Sequence, residues 1–137
     1  MALRRATPHS AKAFAQQFAI DWIEAWNSGD LERLSDHFSD DFATWAPATS
    51  QASGDLTGIL TGKTAAMTAW ARARTLIPEV RFALISTLVG QNNLTLYYRG
   101  IRARLAAETF YFNNEFKILK VVTMLGDPLA TWPIPSQ

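Results

Sequence analysis

The chain has 137 residues, 48% of them apolar and 18% charged, with no cysteine and a formal net charge of +1. This describes one soluble domain with a single core, and it excludes disulfide and cysteine-zinc scaffolds together with thiol catalysis. The near-neutral total argues against a dedicated nucleic-acid binder, and with Phe82-Ala83-Leu84-Ile85 typical of the longest apolar runs, no stretch approaches a membrane span.

Met1 to Ser10 carries Arg4 and Arg5 without the apolar stretch of a signal peptide, so a cytoplasmic location is expected. Thr7-Pro8 offers a cap followed by proline at a first helical position. From there to Asn27, Phe14, Phe18, Trp22 and Trp26, with Ala11, Ala15 and Ala25, fall on one helical face, and Gln17, Asp21 and Glu24 lie opposite. Ser28-Gly29 stops this helix. Asp30 can cap a second, shorter one whose Leu31, Leu34 and Phe38 share a face. Phe42 to Ala46 reads as a strand ended by Pro47, and the small polar residues that follow, to Asp55, read as a loop. A brief strand at Leu56 to Leu60 and a third helix from Gly62 to Ile77, with Ala66, Met67, Trp70 and Ile77 inward, come next; Pro78 terminates it.

Four strands complete the chain, at about Glu79 to Val89, Leu94 to Arg99, Leu105 to Asn113 and Lys117 to Leu125. Their connections are too short for anything but an antiparallel meander. The first and last of them are apolar on both faces, whereas three helices cover only one, so a second cover is implied, most simply a symmetric partner chain on the outer sheet face. The charge is uneven: residues 1 to 61 hold four Lys/Arg against eight Asp/Glu, and residues 62 to 137 hold nine against four. That reads as an acidic helical surface beside a basic sheet surface. The tail, Gly126 to Gln137, has three prolines around Trp132 and is expected either as a loose terminus or as a strap on the pocket mouth or the partner.

The run Trp22-Ile23-Glu24-Ala25-Trp26-Asn27-Ser28-Gly29-Asp30-Leu31, followed by Phe38-Ser39-Asp40-Asp41-Phe42, resembles the opening of the nuclear transport factor 2-like superfamily. Gly62-Lys63-Thr64-Ala65-Ala66-Met67, and Ala106-Ala107-Glu108-Thr109-Phe110-Tyr111-Phe112 before Lys117-Ile118, resemble the third-helix start and penultimate strand of its SnoaL-like branch, which includes polyketide cyclases and relatives of ketosteroid isomerase. The resemblance covers about residues 11 to 126. It implies an α+β fold in which a strongly bent antiparallel sheet wraps as a cone around three helices and opens onto an apolar pocket. The fold hosts isomerases, cyclases, dehydratases and non-catalytic modules, so function rests on the site. Aligned on Asn27-Ser28-Gly29-Asp30, the isomerase's oxyanion tyrosine falls on Trp22, its general-base aspartate on Ala46 and its second aspartate on Phe110. The only histidines are His9, before the first helix, and His37, at the end of the second.

Glu108 is the one acidic residue within the last four strands apart from Glu79 at their start, and it shares a face with Phe110 and Phe112. If that face lines the pocket, a carboxylate among aromatics acquires a pKa suited to acid/base work; otherwise it is paired across the hairpin for structure alone. Pairing centred between Arg102 and Ala103 sets Tyr97 opposite Glu108 as a hydrogen-bond donor, whereas a one-residue shift brings Tyr98 instead. Trp22, Trp26, Trp45, Trp70, Phe82 and Phe110 are the candidate walls of a ligand pocket or, for most of them, core. Asp36-His37 and Asp40-Asp41 resemble no recognised metal motif even with Asp36 stacked on Asp40 at helical spacing, and Gly62-Lys63-Thr64 belongs to no phosphate loop. The expectation is therefore a homodimer that binds a small apolar molecule, with no cofactor, metal or nucleic acid implied. If it is catalytic, Glu108 moves a proton with Tyr97 as a hydrogen-bond donor; the alternative is a binding or assembly module of the same fold.

Overall fold

A computed structural model describes residues 8–45, 59–76 and 80–126. The helix α1 (Pro8–Ser28) leads into α2 (Leu31–Ser35), then β1 (Phe38–Trp45), β2 (Ile59–Thr61) and α3 (Lys63–Leu76). After these come β3 (Ala83–Val89), β4 (Asn93–Arg99), a 3₁₀ turn (Ile101–Ala103), β5 (Leu105–Phe112) and β6 (Ile118–Leu125). Six strands form one curled, unclosed sheet in the order β2-β1-β6-β5-β4-β3. The last four make the expected antiparallel meander, while β1 lies parallel to β6. The loop expected to Asp55 and the proline-rich tail after Gly126 fall outside the described residues. Among the described residues, no helix is long and apolar enough to cross a membrane.

The motif between the first two helices accounts for how they meet the sheet. Gly29 takes φ +75° to end α1, and a Cβ there would lie 2.6 Å from Nη2 of Arg74, whose Nη1 donates to the Trp26 carbonyl at 3.0 Å. Asp30 caps α2 by accepting from the Arg33 N–H at 3.1 Å. Asn27 grips the residue before β3 from both sides, donating Nδ2 to the Phe82 carbonyl at 3.0 Å and accepting the Phe82 N–H at 2.6 Å. On the polar side of α1, Asp21 accepts from Arg33 and lies 2.6 Å from Nε2 of His37. Burial pushes the Asp21 carboxyl up, but those two partners outweigh it and hold it below the usual value.

The second helix is shorter than its apolar spacing predicts. It ends at Ser35, and Phe38 opens β1 opposite Ile118 rather than sharing the helical face of Leu31 and Leu34. Asp40 is consequently a strand residue and does not stack on Asp36. Phe38 still reaches the core, its ring 4.2 Å from Phe42. Tertiary pairing overrides local helical periodicity here, because the Ile118 N–H donates to the His37 carbonyl and ties the segment to β6.

Register sorts the sheet into two faces. Toward the helices lie the rows Val89-Leu94-Phe110-Val121, Thr87-Leu96-Glu108-Thr123 and Leu84-Tyr98-Ala106-Leu125. Away from them lie Leu88-Thr95-Thr109-Val122 and Ser86-Tyr97-Ala107-Met124. An irregularity between Leu84 and Ser86 keeps β3 from following one alternation along its length. The core between the inner rows and the helices is aromatic: Trp22, Phe38, Phe42 and Phe110 are among its largest fully buried side chains.

Replacing Asn27 by alanine removes two hydrogen bonds and leaves a buried N–H of Phe82 unpartnered, at an expected cost of about 2–3 kcal/mol. Guanidinium unfolding of Asn27→Ala against wild type measures it; an unchanged midpoint contradicts the clasp.

Candidate functional site

Glu108 stands in the middle inner row of β5, 9% exposed, with Leu96 beside it on β4 and Thr123 on β6. A carboxylate in such a place must find donors, and three elements supply them. Thr123 donates its hydroxyl to Oε2 at 2.7 Å, Tyr98 of β4 donates its phenol to Oε1 at 2.9 Å, and the Trp22 indole of α1 donates Nε1 to Oε1 at 3.3 Å. Burial raises the Glu108 carboxyl above its ordinary value, and the hydrogen bonds from Thr123, Tyr98 and Trp22 pull against that rise without cancelling it. Tyr98 is pushed well above the usual tyrosine value by burial and then by the charge of Glu108, so it remains a donor.

The donor is Tyr98 and not Tyr97. The β4–β5 connection runs through the 3₁₀ turn with Ala103 at φ +62°, and the Gly100 N–H closes it on the Arg104 carbonyl at 2.7 Å. That centres the hairpin on Arg102, half a residue from the centre that would set Tyr97 opposite Glu108. Tyr97 pairs with Ala107 and belongs to the outer face.

The other expected site residues divide. Trp22 and Phe110 are 1% and 0% exposed, their rings 4.9 Å apart. Trp26 and Trp70 are half-buried, 5.6 Å from each other, and each meets Trp22 edge to face. Phe82 bridges Trp26 to Tyr98, at 5.6 and 4.8 Å. Five of the six aromatics thus form one connected cluster around the carboxylate; Trp45 ends β1 opposite Ile59 and Val122, and its side chain is outside the described residues. A cavity of about 300 Å³ lies elsewhere, between α1 and β3, lined by Lys12, Ala15, Gln16, Thr87 and Val89. Among the described residues no group of three or more His, Cys, Asp or Glu is placed to hold a metal, and His37 is engaged by Asp21 and by the rings of Phe18 and Trp22. Thr123 is the participant that residue type alone did not reveal. As the one hydroxyl in Val121-Val122-Thr123-Met124, it is a signal only once β6 is in register.

A family model described as SnoaL-like domain matches residues 19–118. Among solved structures, the chain is similar to a SnoaL-like protein of unknown function from Burkholderia thailandensis. The two are 36% identical over 84% of this chain and 96% of that one, with a TM-score of 0.81. It is also similar to a protein of the SnoaL-like family from Agrobacterium tumefaciens described as a candidate isomerase, 20% identical over 82% of this chain and 97% of that one, with a TM-score of 0.66. A protein of unknown function with a cystatin-like fold from Methylobium petroleophilum is 13% identical over 86% of this chain and 79% of that one, with a TM-score of 0.69. The latter two show the fold alone. No curated protein matches the chain.

A side-chain carbon NMR titration is expected to place the Glu108 midpoint above the ordinary glutamate value. Tyr98→Phe removes a donor to the charged form and raises the midpoint further, whereas Tyr97→Phe leaves it in place. Because the folded-state value is raised, the stability contributed by Glu108 is complete below the unfolded glutamate value and is lost as pH rises through the folded midpoint. Glu108→Gln therefore gains in Tm relative to wild type with increasing pH across that window; a gain in the other direction refutes the assignment.

Proposed function

The chain belongs to the SnoaL-like family, and from that premise we propose that it binds a small, largely apolar molecule beside its aromatic cluster and moves a proton on it through Glu108. The observation that carries this reading is the lone-pair count of one buried carboxylate. Oε1 accepts from Tyr98 and Trp22, and Oε2 accepts from Thr123. An ionised carboxylate offers about four acceptor sites, so one on Oε2 remains for a proton. The raised affinity for that proton suits a group that takes it from carbon and returns it. In an isomerisation the carboxylate removes a proton from a carbon next to a carbonyl and delivers it to another carbon of the same molecule. Tyr98 and Trp22 hold the carboxylate in place throughout.

A second reading, a binding or assembly module without catalysis, draws on Trp22 and Phe110. They stand where the resemblance to ketosteroid isomerase puts a tyrosine and an aspartate, and both are fully buried. Deuterium exchange at the α-carbon of 2-tetralone, followed by NMR, separates the two. Proton transfer predicts exchange above the buffer rate, slowed on the order of 100-fold or more in Glu108→Gln. Exchange equal in the variant and wild type, or absent from both, leaves the binding module.

The same proposal includes a homodimer formed through the outer sheet face. Leu88 and Met124, 60% and 53% exposed, stand in two adjacent outward rows with Tyr97 and Val122 between them. Apolar side chains gathered on one sheet face are what a symmetric partner covers. Sedimentation equilibrium is expected to give twice 15.2 kDa, falling to the single-chain mass in the double variant Leu88→Lys/Met124→Lys. A wild-type protein that sediments as a monomer at tens of micromolar contradicts it.

A further inference from the structure

The strand β3 is an edge of the sheet, with β4 on one side and no strand among the described residues on the other. Six of its seven residues are exposed. Edge strands are ordinarily guarded by charge, by proline or by shortness, yet Ala83-Leu84-Ile85-Ser86-Thr87-Leu88-Val89 contains neither a charged residue nor a proline. The turn that follows decides which main-chain groups this edge offers. Gly90 donates its N–H to the Asn93 carbonyl at 2.8 Å. Bonded pairs alternate with unbonded ones in an antiparallel ladder, so Val89, opposite Leu94, and Thr87, opposite Leu96, direct their N–H and C=O groups away from β4. The irregularity between Leu84 and Ser86 confines the regular edge to the segment from Ser86 to Val89.

The side chains of the same two residues line the open cavity of about 300 Å³ whose other wall is α1. Lys12, Ala15 and Gln16 form that wall. Lys12, Gln16 and Ile20 follow one another at one-turn intervals along the side of the helix that carries Asn27, and Ile20 and Val89 are both exposed. Lys12 is the one charged residue lining the cavity. The acids of α1, Asp21 and Glu24, are both held by Arg33, and β3 and β4 contain none.

We propose that β3 and α1 form a docking groove for an extended, acidic segment of another protein, which joins the sheet antiparallel to β3. Its main chain bonds to Thr87 and Val89, its alternate side chains enter the cavity between those residues and α1, and a carboxylate at its N-terminal end meets Lys12. From Lys12 to Ile20 the helix runs about 12 Å, the length of about four extended residues. This surface is separate from the Glu108 site and independent of the reading given for it. Charge disfavours a second copy of the chain as the occupant. Antiparallel pairing of two β3 edges would bring Lys12 of one copy toward Arg81 of the other, two cations with no acid in β3 or β4 to separate them.

The test titrates the isotope-labelled full chain with the peptide acetyl-Glu-Thr-Val-Thr-Val-Thr-amide and follows the backbone amides by NMR. Saturable shifts are expected, with the amide protons of Thr87 and Val89 moving downfield as they acquire acceptors while that of Leu88, turned to β4, moves least. Methylating the two valine nitrogens of the peptide removes the donors aimed at β3 and is expected to weaken binding about tenfold. Replacing the peptide's glutamate by lysine is expected to weaken binding about threefold, and Lys12→Glu, a change at an exposed position, reverses the order of the two peptides. No saturable shift in the millimolar range, shifts centred on another element, binding indifferent to N-methylation, or an unchanged order in Lys12→Glu overturns the proposal. Shifts at Thr87 and Val89 that grow with protein concentration alone identify a second copy as the occupant and overturn it as well.

Discussion

A carboxylate placed among tryptophan and phenylalanine rings is tolerable only if the protein replaces the water it has lost. Glu108 obtains that replacement from three directions at once: an indole from α1, a phenol from β4 and a hydroxyl from β6. Each donor must come from a different element. The helix has to lie across the sheet with Trp22 above β5, and both neighbouring strands have to be in the observed register. The aromatic packing meets the same requirement, since Trp22 touches Phe110, Phe18, Trp26 and Trp70 with the ring whose N–H serves Glu108. Apolar burial and polar satisfaction therefore select one arrangement together, and neither alone would do so.

The sheet's period of two makes that arrangement sharp. Moving β4 by one residue against β5 would turn Tyr98 outward, bring Tyr97 in and exchange every inner side chain for an outer one. The five-residue connection prevents this slip. Its 3₁₀ turn, with Ala103 in the left-handed region, fixes the hairpin centre on Arg102. Two tyrosines that are neighbours in the chain consequently serve opposite faces, one on the buried carboxylate and one on the outer face of the sheet.

Much of the architecture was legible in residue spacing. The stripe from Phe14 to Trp26 forms one helix whose apolar residues meet the sheet, Asp30 caps the next, and the last four strands pair as a meander because their connections permit nothing else. The resemblance carried by Asn27-Ser28-Gly29-Asp30 and the Glu108 strand led to the family that the SnoaL-like domain match establishes. The structure gives the motif a physical role through the clasp on Phe82 and the close approach of Arg74. The extent of β1 and its parallel pairing with β6 were not legible. Phe38 has helical spacing from Leu31 and Leu34, and only a long-range backbone pairing draws it into a strand.

The sequence by itself determined which elements exist, in which order, and that Glu108 would lie with Phe110 on one strand face, because side-chain periodicity is a local property of the backbone. Tertiary structure alone decided which tyrosine meets that carboxylate, that Thr123 completes its shell, and that Trp22 supplies the third donor across 86 positions of chain. Those outcomes depend on strand register and on the seating of a helix. Both are set by contacts between residues distant in sequence, which no local pattern encodes.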